Sequence, residues 1–133
     1  MRLLGIDYGE KRIGLAFSDE NVQMAFPHSV IENDKNTLKK IKEICEEKNI
    51  CRIILGQSLN YKGQPNPIMR KIEKFKELLE KELSLPVDYQ SEVLTTQEAM
   101  RLPERKGREK TDKTDAFAAA LILRTYIDKQ NML

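Results

Sequence analysis

The sequence predicts an α/β domain whose helices flank a mixed β-sheet. Three observations carry that expectation. Short apolar runs end at glycines or polar turns, as strands do, whereas other segments repeat their apolar residues every three or four positions, as helices do. The first three strand-like runs follow one another with short links, which makes an antiparallel meander. After them, helices and strands alternate, which requires parallel crossovers, expected to be right-handed. A chain of 133 residues suits one domain, 1–133, able to bury a core without disulfides or structural metals.

The elements follow in order. RLLGIDYG reads as a buried strand bounded by Gly9. RIGLAFSD is a second strand, and the GEK link between them favours a hairpin. QMAFPHSVI is a third, with Pro27 arguing for an edge or a bulge because proline has no N–H for the ladder. Asn33 and Asp34 are good capping types ahead of NTLKKIKEICEEKN, where Leu38, Ile41, Ile44 and Cys45 mark one helical face. CRIILG is a short apolar run, expected as a central strand buried on both faces.

QSLNYKGQPNP is turn-rich and reads as a loop. Ile68, Ile72, Phe75, Leu78, Leu79 and Leu83 then define a second helix, and PVDYQS a last strand. Thr95 or Thr96 is placed to cap a short helix over TQEAMRL, and PERKGREKTDK reads as loop. The final helix starts at Asp112 or Thr114 and runs through AFAAALILRTYID, whose small residues predict close packing against the sheet.

Composition excludes several chemistries. No apolar run reaches the roughly 20 residues of a membrane span, and the first residues lack the pattern of a signal peptide, so a cytoplasmic protein is expected. Cys45 and Cys51 form no CxxC, and with His28 as the single histidine they make no zinc site. Reduced, packing cysteines are the expectation. Any catalysis therefore falls to carboxylates. The net charge of +2 is small, yet residues 101–113 hold six Lys/Arg against three Asp/Glu. Such a local basic arm suits a phosphate backbone, as it also suits a solvated loop.

Three acidic residues fall where strands and helices should present them to one edge. Asp7 ends the first strand, Glu92 follows PVDYQS, and Asp115 begins the final helix, with Asp112 one turn before it. Ordinary roles stay open: Asp7 as a turn residue, Glu92 as a solvated strand end, Asp115 as a helix-start residue favoured by the dipole. Converging carboxylates repel unless a cation neutralises them. Magnesium or manganese would do so through oxygen ligands, and a pair of such ions suits phosphodiester hydrolysis without histidine.

LLGIDYGEKRIGLAFSD, IILGQSLNYKG, SEVLTTQEA and TDAFAAALIL, in that order and spacing, resemble the YqgF family, also called RuvX-like Holliday junction resolvases or pre-16S rRNA nucleases. The resemblance spans nearly the whole chain. It implies an RNase H-like fold, a five-stranded mixed sheet in the order 3-2-1-4-5 flanked by helices. It also implies a catalytic and metal-binding set of Asp7, Glu92 and Asp115, with Asp112 a further candidate ligand, holding Mg²⁺ or Mn²⁺ and two ions in all. Lys11, Arg12, Thr95 and Thr96 match its nucleic-acid-binding positions, and Gly56 and Gly63 its glycine-rich loop. Arg105, Lys106, Arg108 and Lys110 are expected to add phosphate contacts.

Two departures stand out. Gly56-Gln57-Ser58 replaces the usual GLP, which frees the loop backbone. Ser91-Glu92-Val93 replaces the usual DER, which removes a cation beside the glutamate. The implied function is a metal-dependent endonuclease on nucleic acid, with precursor 16S rRNA first and branched DNA second as substrate. A monomer or a homodimer fits, and no membrane partner is implied. A non-catalytic RNA-binding assembly factor is the alternative of another class. IDYGEKRIG also resembles the first phosphate loop of actin-like ATP-dependent modules, which generally use two domains around the nucleotide.

Overall fold

The computed structural model describes residues 1–91 and 112–131, with side chains from 115 onward in the second segment. Strands β1 (Arg2–Asp7), β2 (Arg12–Ser18) and β3 (Ala25–Glu32) come first, then helix α1 (Thr37–Lys48), β4 (Ile50–Gln57), α2 (Met69–Leu83), β5 (Val87–Ser91) and α3 (Asp112–Asn131). The five strands form one sheet in the order β3-β2-β1-β4-β5. β1, β2 and β3 pair antiparallel, whereas β4 pairs parallel with β1 and with β5. This is the mixed sheet and the strand order that the resemblance implied. The expected TQEAMRL helix and the basic segment ahead of residue 112 lie outside the described residues.

Pro27 occupies an edge strand, and a bulge lies beside it as well. Leu15 pairs with Ser29 but Ala16 pairs with Pro27, so His28 is skipped in the ladder. Asn33 and Asp34 differ from expectation. Helix α1 is capped at Asn36 with no side-chain cap bond, and Asp34 instead shapes the approach, its Oδ1 accepting from the Asn36 N–H at 2.8 Å. Thr37 completes that turn: its hydroxyl donates to the Glu32 carbonyl and accepts from the Asp34 N–H. Local Asx geometry outcompeted the cap.

Alternation along each strand divides the core in two. Leu4, Ile6, Ile13, Leu15, Ile53 and Leu55 face α1 and α2, meeting Ile41 and Cys45 of α1 and Ile72, Phe75 and Leu79 of α2. Leu3, Ala16 and Ile54 face α3, meeting Ala119, Ala120, Ile122, Leu123 and Ile127. Cys45 and Cys51 are both free thiols. Burial pushes the Cys45 thiol up to about 12 from an ordinary 9.0.

Candidate active site

Because β1, β4 and β5 are parallel, their carboxyl ends reach the same edge of the sheet, where antiparallel β2 begins. Asp7 is the last residue of β1 and is buried, 6% exposed. It shares its alternation with Leu3 and Gly5, so it belongs to the α3 face. Gly5 lies under α3, where an added Cβ would come within 2.9 Å of the Ala119 carbonyl and the Leu123 Cβ. Two residues on, about 7 Å along the strand, Asp7 pairs with Gly14 of β2. Four residues back along α3, about 6 Å, Asp115 lies over that same Gly14, so close that any Cβ there would overlap the Asp115 carbonyl. The helix and the strand thus advance in step. Gly14 brings the two aspartates to one place.

Asp115 is also buried, at 6% exposure. Its Oδ2 accepts from Arg12 Nε at 3.2 Å. Arg12 opens β2 on the α3 face, two residues before Gly14, and its side chain stays 39% exposed. Asp7 and Arg12 each make further interactions. The start of α3, the positive end of its dipole, faces this cluster, which favours anionic groups there.

Two residues that sequence reasoning did not assign to the site shape it. Asn33 donates from Nδ2 to the Gly9 carbonyl at 2.8 Å, and its N–H bonds the Lys11 carbonyl at 2.9 Å. These bonds pin the β1–β2 turn that carries Lys11 and delivers Arg12. Gln90 is the other, a buried polar residue on β5. It pairs with Gly56, which lies one residue past the Ile6–Leu55 pair and hence level with Asp7. Asp88, two residues earlier on the same face, bonds Tyr126 of α3, so Gln90 belongs to the α3 face with Asp7. Gly56 contributes no side chain between them, and the two backbones lie roughly 9–10 Å apart across two strand spacings. A long-range register has no local sequence signal; an isolated polar residue in a strand was the only hint.

Glu92, Thr95, Thr96, Arg105, Lys106, Arg108 and Lys110 lie outside the described residues, and Asp112 is described only as the first residue of α3. Among the described residues no group of three His, Cys, Asp or Glu is placed to hold a metal ion. Asp7 and Asp115 together supply hard oxygen donors of the kind that Mg²⁺ or Mn²⁺ accepts, with Arg12 competing for one of them.

Comparison with known proteins gives a consistent picture. The family model for RuvX, described as Holliday junction resolvase, matches residues 1–129. A candidate pre-16S rRNA nuclease of Syntrophomonas wolfei is 35% identical over 96% of this chain and 94% of its own. One from Rickettsia africae is 34% identical over 95% and 85%. Among solved structures, RuvC of Thermus thermophilus in complex with a Holliday junction substrate superposes with a TM-score of 0.64 at 15% identity, covering 98% of this chain and 96% of that one. The fowlpox virus resolvase bound to junction DNA gives 0.52 at 15% identity over 98% and 99%. At such identities the likeness is one of fold, and the fold is RNase H-like.

Proposed function

The chain belongs to the RuvX family of Holliday junction resolvases, and on that premise we propose that this nuclease is a divalent-metal-dependent endonuclease that processes the 5′ end of precursor 16S rRNA in the cytoplasm. The observation that carries the reading is the meeting of Asp7 and Asp115 over Gly14, beside Arg12. Asp7 and Asp115, with Glu92 as the third carboxylate and Asp112 in reserve, are the residues that would hold Mg²⁺ or Mn²⁺. When bound, two such ions supply charge neutralisation, water activation and stabilisation of the leaving oxygen in phosphodiester hydrolysis.

The chain's own residues do the positioning. Asp7 is held by the strand ladder and Asp115 by the packing of α3, so neither carboxylate has to be ordered when substrate arrives. Arg12 offsets one negative charge in the absence of substrate. Its side chain is 39% exposed, so it would be within reach of a phosphate were a divalent ion to take its place on Asp115. Lys11 on the same pinned turn adds a second cation toward the backbone, with Thr95, Thr96 and the basic segment 105–110 completing the grip.

Replacing Asp7 by Asn is expected to lower cleavage of precursor rRNA at least 100-fold while thermal unfolding and RNA binding stay near wild type. Undiminished cleavage by this variant sinks the mechanism. The family model's description supports a second reading, cleavage of four-way DNA junctions, which calls for two active sites and hence a homodimer. Side-by-side rates on precursor rRNA and junction DNA separate the two. Metal-independent binding of precursor rRNA without any cleavage would instead support a non-catalytic assembly factor.

A further inference from the structure

At the opposite edge of the sheet from Asp7, one ring gathers an unusual set of partners. Phe17 of β2 has the Arg2 guanidinium 5.9 Å and the Lys48 ammonium 5.0 Å from its centroid. The Phe26 ring lies 6.1 Å away and the His28 ring meets it edge-on at 5.5 Å. The two cations are drawn together, since Arg2 Nη1 donates to the Lys48 carbonyl at 3.5 Å. They border a cavity of about 350 Å³ lined by Met1, Arg2, Glu20, Lys48, Asn49 and Ile50. The Arg2 Nε is buried and has no hydrogen-bond partner.

Two exposed carboxylates, Glu20 and Glu47, stand near this cluster. Glu20 reaches Arg2 at 3.8 Å but is 73% exposed, a distance and exposure at which screening leaves little attraction. Glu47 acts on the His28 side. Burial and the Lys48 charge both hold His28 below the usual histidine range, so at neutral pH the ring is a neutral stacking surface. Phe26 is 38% exposed on the edge strand. Two cations, two accessible rings and an adjoining cavity match the way single strands are held, with phosphates on cations and bases on rings.

We propose that Arg2, Lys48, Phe26 and His28 form a second nucleic-acid site that grips a single-stranded stretch of RNA remote from the carboxylate edge. This rests on the nuclease reading for the class of ligand, not for the chemistry. The five residue steps of β1 from Arg2 to Asp7 separate the two sites by roughly 17 Å, so one flexible strand can reach both around the molecule. Such a site selects substrates with an unpaired tail and acts on binding rather than on bond breaking.

The test is binding of a short labelled single-stranded RNA to the full chain in EDTA, read by fluorescence anisotropy over a salt series. Lys48→Glu combined with Arg2→Gln is expected to weaken binding about tenfold and to reduce the salt slope by about 1.4, two contacts at roughly 0.7 each. Phe26→Ala, at an exposed position, is expected to weaken it about fivefold or more with the slope unchanged. Unchanged affinity and slope in both variants overturn the proposal. Acetylation footprinting of the unaltered protein guards against misfolded variants. RNA is expected to protect Lys48 and leave the exposed Lys39 reactive, and equal modification of Lys48 with and without RNA overturns it. Protection of Lys48 by inorganic phosphate alone, at the same concentration as RNA phosphate, would mark a free-anion site and overturn the RNA assignment. Loss of cleavage on Asp7→Asn is a separate result, so the two readings fail independently.

Discussion

Two helices hold one face of the sheet and a single helix holds the other, and the two faces differ in how closely helix approaches strand. On the α1–α2 face, Leu4, Ile6, Leu15 and Leu55 meet Ile72, Phe75 and Leu79, all large. Bulk keeps those helices at an ordinary distance and tolerates small adjustments. On the α3 face, Gly5 lies against Ala119 and Leu123 and Gly14 against the backbone of Asp115 and Ala116, so helix backbone rests almost on strand backbone. That contact has no slack. The carboxylates Asp7 and Asp115 both belong to the tight face, where a shift of a few tenths of an ångström carries straight into the site. One face serves stability, the other placement.

The first way to break this contrast is on the bulky face. Ile72→Ala removes a side chain that is 1% exposed and packs in the α1–α2 core. The expected loss is about 2–5 kcal/mol of stability, measured by urea unfolding. Cleavage per folded molecule should not change, and a drop of tenfold or more would show that the two faces are coupled.

Gly14→Ala attacks the tight face with one methyl group. Its Cβ would overlap the Asp115 carbonyl, so α3 must lift or tilt. Overpacking of this kind costs about 1–3 kcal/mol, no more than the first substitution, yet cleavage should fall at least tenfold because Asp115 moves away from Asp7. A Gly14→Ala protein that cuts at the wild-type rate would separate placement of Asp115 from catalysis.

Much of this was legible in the residues, and what was not has a common cause. Every described strand and helix coincides with a segment read from the residues, strands chiefly from short runs bounded by turns and helices chiefly from an apolar stripe, because burial on a sheet face or helix stripe imposes such patterns. The small residues of AFAAALIL announced close packing, and Pro27 announced an edge. What escaped was pairing over distance. Arg12 and Asp115 are 103 positions apart, and the Asn33 bond to the Gly9 carbonyl spans 24. Neither residue's type reveals its partner until the fold juxtaposes them. Asn33 read as a cap for the same reason, since its local preferences are those of a cap.

A smaller effect is expected where α3 is tied to β5. Tyr126 donates its hydroxyl to Asp88 Oδ2 at 2.8 Å, and Arg52 Nη1 reaches the same oxygen at 2.8 Å. Tyr126→Phe removes one of the two bonds, at a cost of about 1 kcal/mol. Because this tie lies more than two helical turns from Asp115, cleavage should hold within about twofold. A larger loss would mean that the whole length of α3, not only its first turn, sets the position of Asp115.

The two thiols sharpen the contrast at least cost to the protein, because they report on both faces without substitution. Cys45 points into the α1–α2 core, whereas Cys51 is half-buried on the α3 side. Burial raises the Cys45 thiol from 9.0 to about 12, and only thiolate alkylates. In the native protein at mildly alkaline pH, iodoacetamide should therefore modify Cys51 well before Cys45, with mass spectrometry reading the order. The same shift fixes a stability trend. The unfolded chain loses the Cys45 proton near 9 and the folded chain holds it to about 12, so the unfolded state binds fewer protons between those values and stability falls as pH rises across that window. Cys45→Ala should flatten this part of the profile. Equal alkylation rates for the two thiols would mean that the bulky face opens as readily as the edge of the tight one, and the division between a stabilising face and a placing face would have to be given up.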